Sequence, residues 1–282
     1  MALPFIGFPQ LSVESIENHI RNGSYQKAQL ILQESIKKDP DPILKDKLGE
    51  VFGYQQQWDK AIEVYRELTI QYPQNPEFQF RYGGVLAKKA QNSNLFMALP
   101  LLGKIKASFK KALKLDPEHI GAHWALIDLY VSLPALVGGS ISNAYDHALK
   151  LKELSAVDGY LALGYVYEYD EAPEQAKINY LKALTLLDKK EIIDRNQLNY
   201  QIGKICAEFE IEMDKGIIHL NEYIHNYTVL DGVPLEWAYY RLAKIYRKKS
   251  ERQKALVWIN RSLEISPGLE PALTEKSAIE RL

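Results

Sequence analysis

Two neighbouring glycines are the first residues in the sequence whose spacing suggests chemistry. Gly138 and Gly139 lie in the segment VSLPALVGGS, and glycine-rich turns before helices can hold a phosphate group. A nucleotide-binding P-loop also needs a preceding strand and a Gly-Lys-Ser/Thr ending, and the segment has neither. We therefore interpret the glycines as conformational: they allow positive φ where the chain turns, and Ser140 or Ser142 caps the next helix.

Two histidines and one cysteine could bind a metal or act in catalysis. His119 and His123 are four residues apart, the spacing at which one helix face presents two metal ligands. The residues between them lack the Glu of a zinc-protease motif. Cys206 is the one cysteine, so an internal disulfide framework is excluded, and we expect a buried structural thiol. No local motif supports a catalytic triad. We predict no catalytic residue, no metal and no cofactor.

Composition excludes several classes of protein. The net charge is -1, whereas a general nucleic-acid binder has a strong basic excess, so no nucleic-acid partner is predicted. No apolar run is long enough for a transmembrane segment. The N-terminal segment 1–10, MALPFIGFPQ, is apolar but lacks the basic start of a signal peptide. We expect a soluble, cytoplasmic protein, or an exported or periplasmic one if an upstream signal peptide has been removed.

The elements that position these residues follow an internal repeat. The stretches 48–73 and 163–188 both contain Leu-Gly, an aromatic residue three positions after the Gly, then Ala, and Tyr four positions after that Ala. The pattern resembles the tetratricopeptide repeat, a pair of helices in about 34 residues. The residues that carry the resemblance are Leu48, Gly49, Phe52, Ala61, Tyr65 and Pro73 in one copy, and Leu163, Gly164, Tyr167, Ala176 and Tyr180 in the other.

Weaker copies extend the resemblance over nearly the whole chain. It implies an all-α protein, a right-handed superhelical α-solenoid of antiparallel helix pairs that forms a single domain over 1–282. The predicted repeats are about 11–41, 42–75, 76–118, 119–156, 157–190, 195–230 and 235–268, followed by a capping helix at 270–282. Because each pair exposes an apolar face until the next pair stacks on it, we assign the pattern residues to the core.

Two irregularities interrupt the repeat. From Gly83 to Phe109 there are 26 residues, against 16 from Gly49 to Tyr65, and the additional residues lie in the apolar segment 91–104. The fourth copy has about five additional residues, at 133–139. We expect both insertions to lengthen the turn within their helix pair and to lie side by side. They either bury each other or form a hydrophobic patch for a partner, with Phe96, Leu99, Leu133, Leu136 and Val137 as its candidate residues.

The resemblance also implies a binding face. Tetratricopeptide solenoids bind peptides or proteins on a concave groove that is lined by the first helix of each pair. Early positions that map to this groove, including Asp46 and Glu50, are acidic, while late ones are basic. The candidate partner-binding residues are Phe80, Trp124, Asp128, Tyr165, Glu168, Tyr200, Lys204, Trp237, Tyr240, Lys244 and Arg247. The Lys/Asn/Arg clamp of chaperone-binding members is missing.

Two classes of function remain open. The predicted one is a non-catalytic scaffold that binds a protein or peptide in the groove and is not an enzyme. The alternative is a small-ligand receptor or a cryptic enzyme that uses the groove and the apolar insertions at 91–104 and 133–139. If Trp124, Tyr200 and Trp237 were all buried between helices, they could not serve as anchors for a partner.

Overall fold

A computed structural model describes residues 13–187, 195–227 and 233–282. These residues form fifteen α-helices and one short 3-10 helix, with no strand among them. The predicted N-terminal segment 1–10 lies outside the described residues, as do the ends of two predicted repeats. No helix in the described ranges combines the length and apolar character needed to cross a membrane. The chain divides into two compact units, 1–154 and 155–282.

The first unit contains four helix pairs. Each helix packs mainly against its neighbours in sequence. The helices are α1 (Val13–Arg21), α2 (Tyr25–Lys38), α3 (Pro42–Tyr54), α4 (Trp58–Gln71), α5 (Pro76–Gln91), α6 (Leu95–Leu115), α7 (Ile120–Ser132) and α8 (Ile141–Leu154). The 3-10 helix, Ala135–Val137, lies between α7 and α8.

The second unit contains three further pairs and one final helix. They are α9 (Ala156–Tyr169), α10 (Pro173–Leu186), α11 (Asn196–Phe209), α12 (Met213–His225), α13 (Leu235–Lys248), α14 (Arg252–Ile265) and α15 (Glu270–Glu280). Its last core cluster is formed by α13, α14 and α15, in which Ala272 and Ile279 of α15 are fully buried. The final helix therefore covers the apolar face of the pair before it.

Short polar side chains set the starts of several helices. The carboxylate of Asp41 accepts a hydrogen bond from the Ile43 N–H at 2.8 Å, and Asn75 caps α5 in the same way through Phe78. Pro42 and Pro76 follow these caps at the first helical position, where a missing N–H costs nothing. Two first helices, α3 and α5, thus begin at an Asp-Pro and an Asn-Pro sequence.

The helices of a pair approach closely because a small residue in the first faces a large one in the second. A Cβ built on Gly49 would lie 2.6 Å from the Tyr65 ring, and one on Gly164 would lie 2.4 Å from Tyr180. Both tyrosines are buried. The third pair uses Phe109 in the same way, since it lies 2.7 Å from a Cβ built on Gly83.

The fourth pair exchanges the sizes of the two residues. Ile127 stands at the position of the small residue, and Ala148 stands where the second, third and fifth pairs have an aromatic ring. Both are completely buried. The exchange keeps the total volume between the helices similar, which is the kind of change that packed cores tolerate best.

The first insertion is helical, so the prediction that it lengthens a turn is wrong. Only 92–94 separate α5 from α6, and Asn94 caps α6 by accepting a hydrogen bond from the Met97 N–H at 3.1 Å. The additional residues extend α6 to 21 residues, whereas most other helices have 13 or 14. Since Phe96 is 86% exposed and Leu136 fully exposed, the two insertions do not bury these side chains against each other.

Two glycines one helical turn apart in α3 provide a test of the packing rule. Gly49→Ala places a methyl group against the buried Tyr65 ring and should lower the free energy of unfolding by about 1–3 kcal/mol. Gly53→Ala meets no atom within 4 Å and should raise it by about 0.5–1 kcal/mol through helix propensity. Urea unfolding followed by circular dichroism measures both. Equal effects of the two substitutions would contradict the packing rule.

Candidate functional site

The first unit contains a pocket of about 420 Å³ between α5, α6 and α7. Most of the side chains around it are apolar, and its polar ones are Lys88, Gln91, Asp128 and Ser132. The lining residues are Phe80, Gly84, Ala87, Lys88, Ala90 and Gln91 of α5, Ala98, Leu102, Ile105 and Phe109 of α6, Ala125, Asp128, Leu129 and Ser132 of α7, and Leu133 directly after α7. An apolar cavity of this size with a few polar groups is typical of a binding site.

The extension of α6 builds one wall of this pocket. Ala98 and Leu102 belong to the residues that the third pair has in addition to a standard pair. The floor is formed by Phe80, whose ring centroid lies 5.8 Å from that of Phe109 and 4.8 Å from that of His119. Gly84 leaves the pocket open, since a Cβ built there would meet no atom within 4 Å.

The loop after α7 closes the other side of the pocket through Leu133. Gly138 adopts a φ of 102°, the left-handed conformation that favours glycine, as predicted. A Cβ on Gly139 would lie 1.7 Å from the Leu133 carbonyl oxygen, so only glycine fits there. Ser140 caps α8 by accepting a hydrogen bond from the Asn143 N–H at 3.2 Å, and Lys106 Nζ donates to the Gly138 carbonyl at 2.8 Å.

The structure brings three of the predicted site residues together. Phe80 and Asp128, predicted for the groove, and Leu133, predicted for the hydrophobic patch, line this one pocket. Trp124 of α7 is half-buried and is not part of the lining. Phe96 and Leu99 point away from the core on the same α6 extension and are exposed, as are Leu136 and Val137 in the loop.

The second unit holds the remaining predicted groove residues, and their burial differs. Tyr200 and Trp237 are half-buried, so they keep some exposed surface, whereas Tyr240 is buried. Assigning Tyr240 to a partner-binding surface is therefore wrong: its ring packs against Trp237 at 6.1 Å, and Arg241 lies over it. Tyr165 and Lys204 are half-buried, and Glu168 is exposed.

The charges predicted to face a partner are largely bound within each unit. In the first unit Arg81 bridges Asp46, at 3.3 Å, and Glu50. These contacts with two carboxylates keep the pKa of Arg81 above its usual value, although burial opposes them.

In the second unit Lys244 binds Glu208, Arg247 binds Glu275, and Glu168 accepts a hydrogen bond from Tyr180. These three predicted groove charges are therefore already matched inside the unit.

The two histidines whose spacing could suit a metal contact different partners. His119 caps α7 through Nδ1, which accepts from the Ala122 N–H, and its Nε2 lies 3.1 Å from Glu77. His123 instead faces His147, with their Nδ1 atoms 2.9 Å apart. Across the described ranges, no three His, Cys, Asp or Glu side chains are placed to hold a metal ion.

The geometry of the His123–His147 pair determines its tautomers. The Pro117 carbonyl can only accept, so Nε2–H of His123 donates to it at 3.0 Å. The neutral ring then accepts at Nδ1 from Nδ1–H of His147. Burial and the neighbouring His123 lower the pKa of His147 to about 4, and burial also lowers the pKa of His123. The pair is thus neutral in the folded protein near pH 7.

Cys206 is a buried structural thiol, as predicted. It is completely buried in α11, and a Cβ built on Gly216 of α12 would lie 2.6 Å from its Cβ. Burial raises the pKa of this thiol to about 12, so the reactive thiolate is disfavoured near neutral pH.

The small residues of the pocket were missed by sequence reasoning. Gly84, Ala87 and Ala125 line it, and they stand beside the helix positions that the repeat pattern describes. A signal was available in α5, where Gly84 directly follows Gly83. One face of this helix carries Phe80, Gly84, Ala87 and Gln91. Two consecutive glycines in a helix are costly, and only Gly83 is explained by packing within the pair.

Comparison with known proteins identifies the repeat. Two family models described as tetratricopeptide repeat match residues 47–92 and 238–268. No curated protein matches the sequence. A tetratricopeptide repeat protein from Parabacteroides merdae is similar over 95% of this chain and 97% of its own, with 13% identity and a TM-score of 0.55.

Two further solved structures share the fold. PilF of Pseudomonas aeruginosa has 13% identity and a TM-score of 0.53, over 86% of this chain and 99% of its own. The Cut9–Hcn1 structure of the APC/C has 15% identity and a TM-score of 0.61, over 94% of this chain and 48% of the matched chain. At these identities the likeness shows the fold alone, which is an all-α helical repeat solenoid.

The histidine pair predicts how stability depends on pH. The lowered pKa means that the unfolded chain takes up protons between about pH 6.5 and 4 that the folded protein does not. The contribution of the neutral histidine pair to the free energy of unfolding is therefore present above pH 6.5 and is lost as the pH falls. His147→Asn should reduce the loss of unfolding free energy between pH 7 and pH 5 by roughly 1–2 kcal/mol.

Urea midpoints across this pH range measure the effect. His19→Asn in α1 is the control, because His19 lies outside the pair, and its pH dependence should follow that of the wild type. Identical profiles for His147→Asn and the wild type would show that the pair does not titrate on unfolding as described.

Proposed function

Because this chain is a tetratricopeptide repeat protein, we propose that it is a non-catalytic scaffold that binds an apolar segment of a partner protein in the pocket of its first unit. The observation that carries the proposal is the pocket itself, an open apolar cavity between α5, α6 and α7. Repeat solenoids present surfaces between stacked helices as binding sites, and this surface is deepened by the α6 extension.

The size and lining of the pocket suit bulky side chains. A volume of about 420 Å³ accommodates two or three large apolar side chains of a bound segment. Small residues such as Gly84 and Ala87 allow a partner to approach the helix backbone closely. Lys88 of α5 and Asp128 of α7 both line the pocket and supply one charge of each sign to orient the segment.

The polar groups of the pocket do not suggest catalysis. Ser132 lies at the limit of hydrogen-bond distance from Asp128, with 3.5 Å between their oxygens. His119 packs against Phe80 with its ring tilted, and it is held by Glu77 and by its role as a helix cap. A nucleophile, a base and an orienting group in contact are not assembled there.

A second candidate is a receptor for a small apolar molecule. It is supported by the cavity volume, which lies within the range of small-ligand sites. The two candidates differ in what is bound: a peptide continues beyond the pocket over the neighbouring helix surface, whereas a small molecule is contained in it.

Filling the pocket tests the proposal. Gly84→Leu introduces an apolar side chain into open space and should leave the fold intact while it weakens partner binding at least ten-fold. A displayed library of random peptides, selected on the wild type, supplies the probe, and titration calorimetry measures binding of the enriched peptides. We expect these peptides to contain large apolar residues.

Gly53→Leu is the matched control. It adds the same side chain to another helical glycine with no atom within 4 Å, on α3 and away from the pocket, and should bind peptide like the wild type. The proposal fails if Gly84→Leu binds as tightly as the wild type or if both variants weaken binding equally. If the selection yields no peptide but a small apolar dye binds the wild type and not Gly84→Leu, the receptor is the better description.

A further inference from the structure

We propose that the first unit docks on an anionic lipid surface through the N-terminal start of α6 and the loop after α7. This apolar tip consists of Leu95, Phe96, Met97, Leu99 and Leu136. Phe96 is 86% exposed and Leu136 fully exposed, and the other three are exposed as well. Scattered exposed apolar residues are ordinary, but four within five positions of one helix start form a patch that calls for a partner.

The loop after α7 is held against α6. Lys106 of α6 donates a hydrogen bond to the Gly138 carbonyl at 2.8 Å, and its ammonium group lies 4.6 Å from the centre of the Tyr130 ring. Leu102 and Leu133 also face the same pocket. The loop therefore lies alongside α6, with the Lys106 contact about 15 Å along the helix from Phe96.

The charge around the tip complements an anionic surface. The stretch 78–115 contains no Asp or Glu. Two of its eight basic residues, Arg81 and Lys89, form ion pairs within the unit, and the others are Lys88, Lys104, Lys106, Lys110, Lys111 and Lys114. Lys104 lies five residues after Leu99, about 7.5 Å along the helix, and Lys88 lies in the last turn of α5 beside the start of α6. Lysines at this distance from inserted apolar side chains reach the lipid headgroups.

The shape of the tip favours a membrane over a peptide. A peptide-binding surface surrounds apolar side chains with walls, as the neighbouring pocket does, whereas Phe96 and Leu136 project from the surface. A lipid interface can close around projecting side chains because it is fluid, and basic residues behind them add attraction to anionic headgroups. This inference is independent of the pocket and of the function proposed for it.

Vesicle binding tests the proposal with the whole chain. The wild type should co-sediment with vesicles of phosphatidylcholine containing about one third phosphatidylglycerol, less with phosphatidylcholine alone, and less in high salt. Replacing Phe96 and Leu99 together by Ser should lower partitioning more than about ten-fold. Lys104→Gln should lower it about five-fold, the effect of one basic residue near the surface.

Matched variants separate this effect from general changes of the surface. Leu30 and Ile70 are 62% and 67% exposed on α2 and α4, so replacing both by Ser removes similar apolar area elsewhere and should leave vesicle binding unchanged. Gly84→Leu should also retain vesicle binding, which separates the tip from the pocket. Helical circular dichroism checks that every variant is folded.

Three results would overturn the proposal. The first is a wild type that does not bind the anionic vesicles, and the second is a Phe96/Leu99 double variant that binds them as well as the wild type does. The third result is a wild-type dimer, detected by sedimentation velocity, that the same double substitution converts to monomers. It would show that the tip is a contact between two copies of the chain.

Discussion

The close contact between two helices of a pair is the constraint on which the rest of this structure depends. Gly49 and Gly164 let the opposing Tyr65 and Tyr180 rings lie almost against the helix backbone. A pair packed so tightly buries its inner seam but leaves an apolar face uncovered on its outside. That face is covered by the next pair, and at the end of the chain by α15, so each unit is built by repeating one local contact.

The pocket arises where this regular stacking is interrupted. The register between Gly83 and Phe109 is kept in the third pair although ten additional residues stand between them. Those residues lengthen α6 beyond the helices it packs against, and the added turns form a wall with no equivalent in the other pairs. The insertion thus creates an additional surface without disturbing the core contact.

Buried polar groups in both units serve the scaffold. Three sets of contacts satisfy polar groups that burial would otherwise penalise. They are Arg81 between two carboxylates, Arg195 on the buried Asp158 with two 3.0 Å contacts, and the neutral His123–His147 pair. By contrast, Lys104 of α6 has no acidic residue within ten positions in sequence. Charges matched inside a unit stabilise the fold, and it is the unmatched ones that can attract a partner.

The sequence by itself determined the repeat, the buried Cys206 and the conformational role of Gly138, because local spacing and residue size dictate these features. Only the tertiary structure decided that the apolar insertion at 91–104 extends a helix, that Tyr240 is buried, and that the two histidines point apart. A helix and a long turn can have the same composition, and burial depends on neighbours that are distant in sequence. The pocket likewise requires three helices, and no single segment encodes its volume.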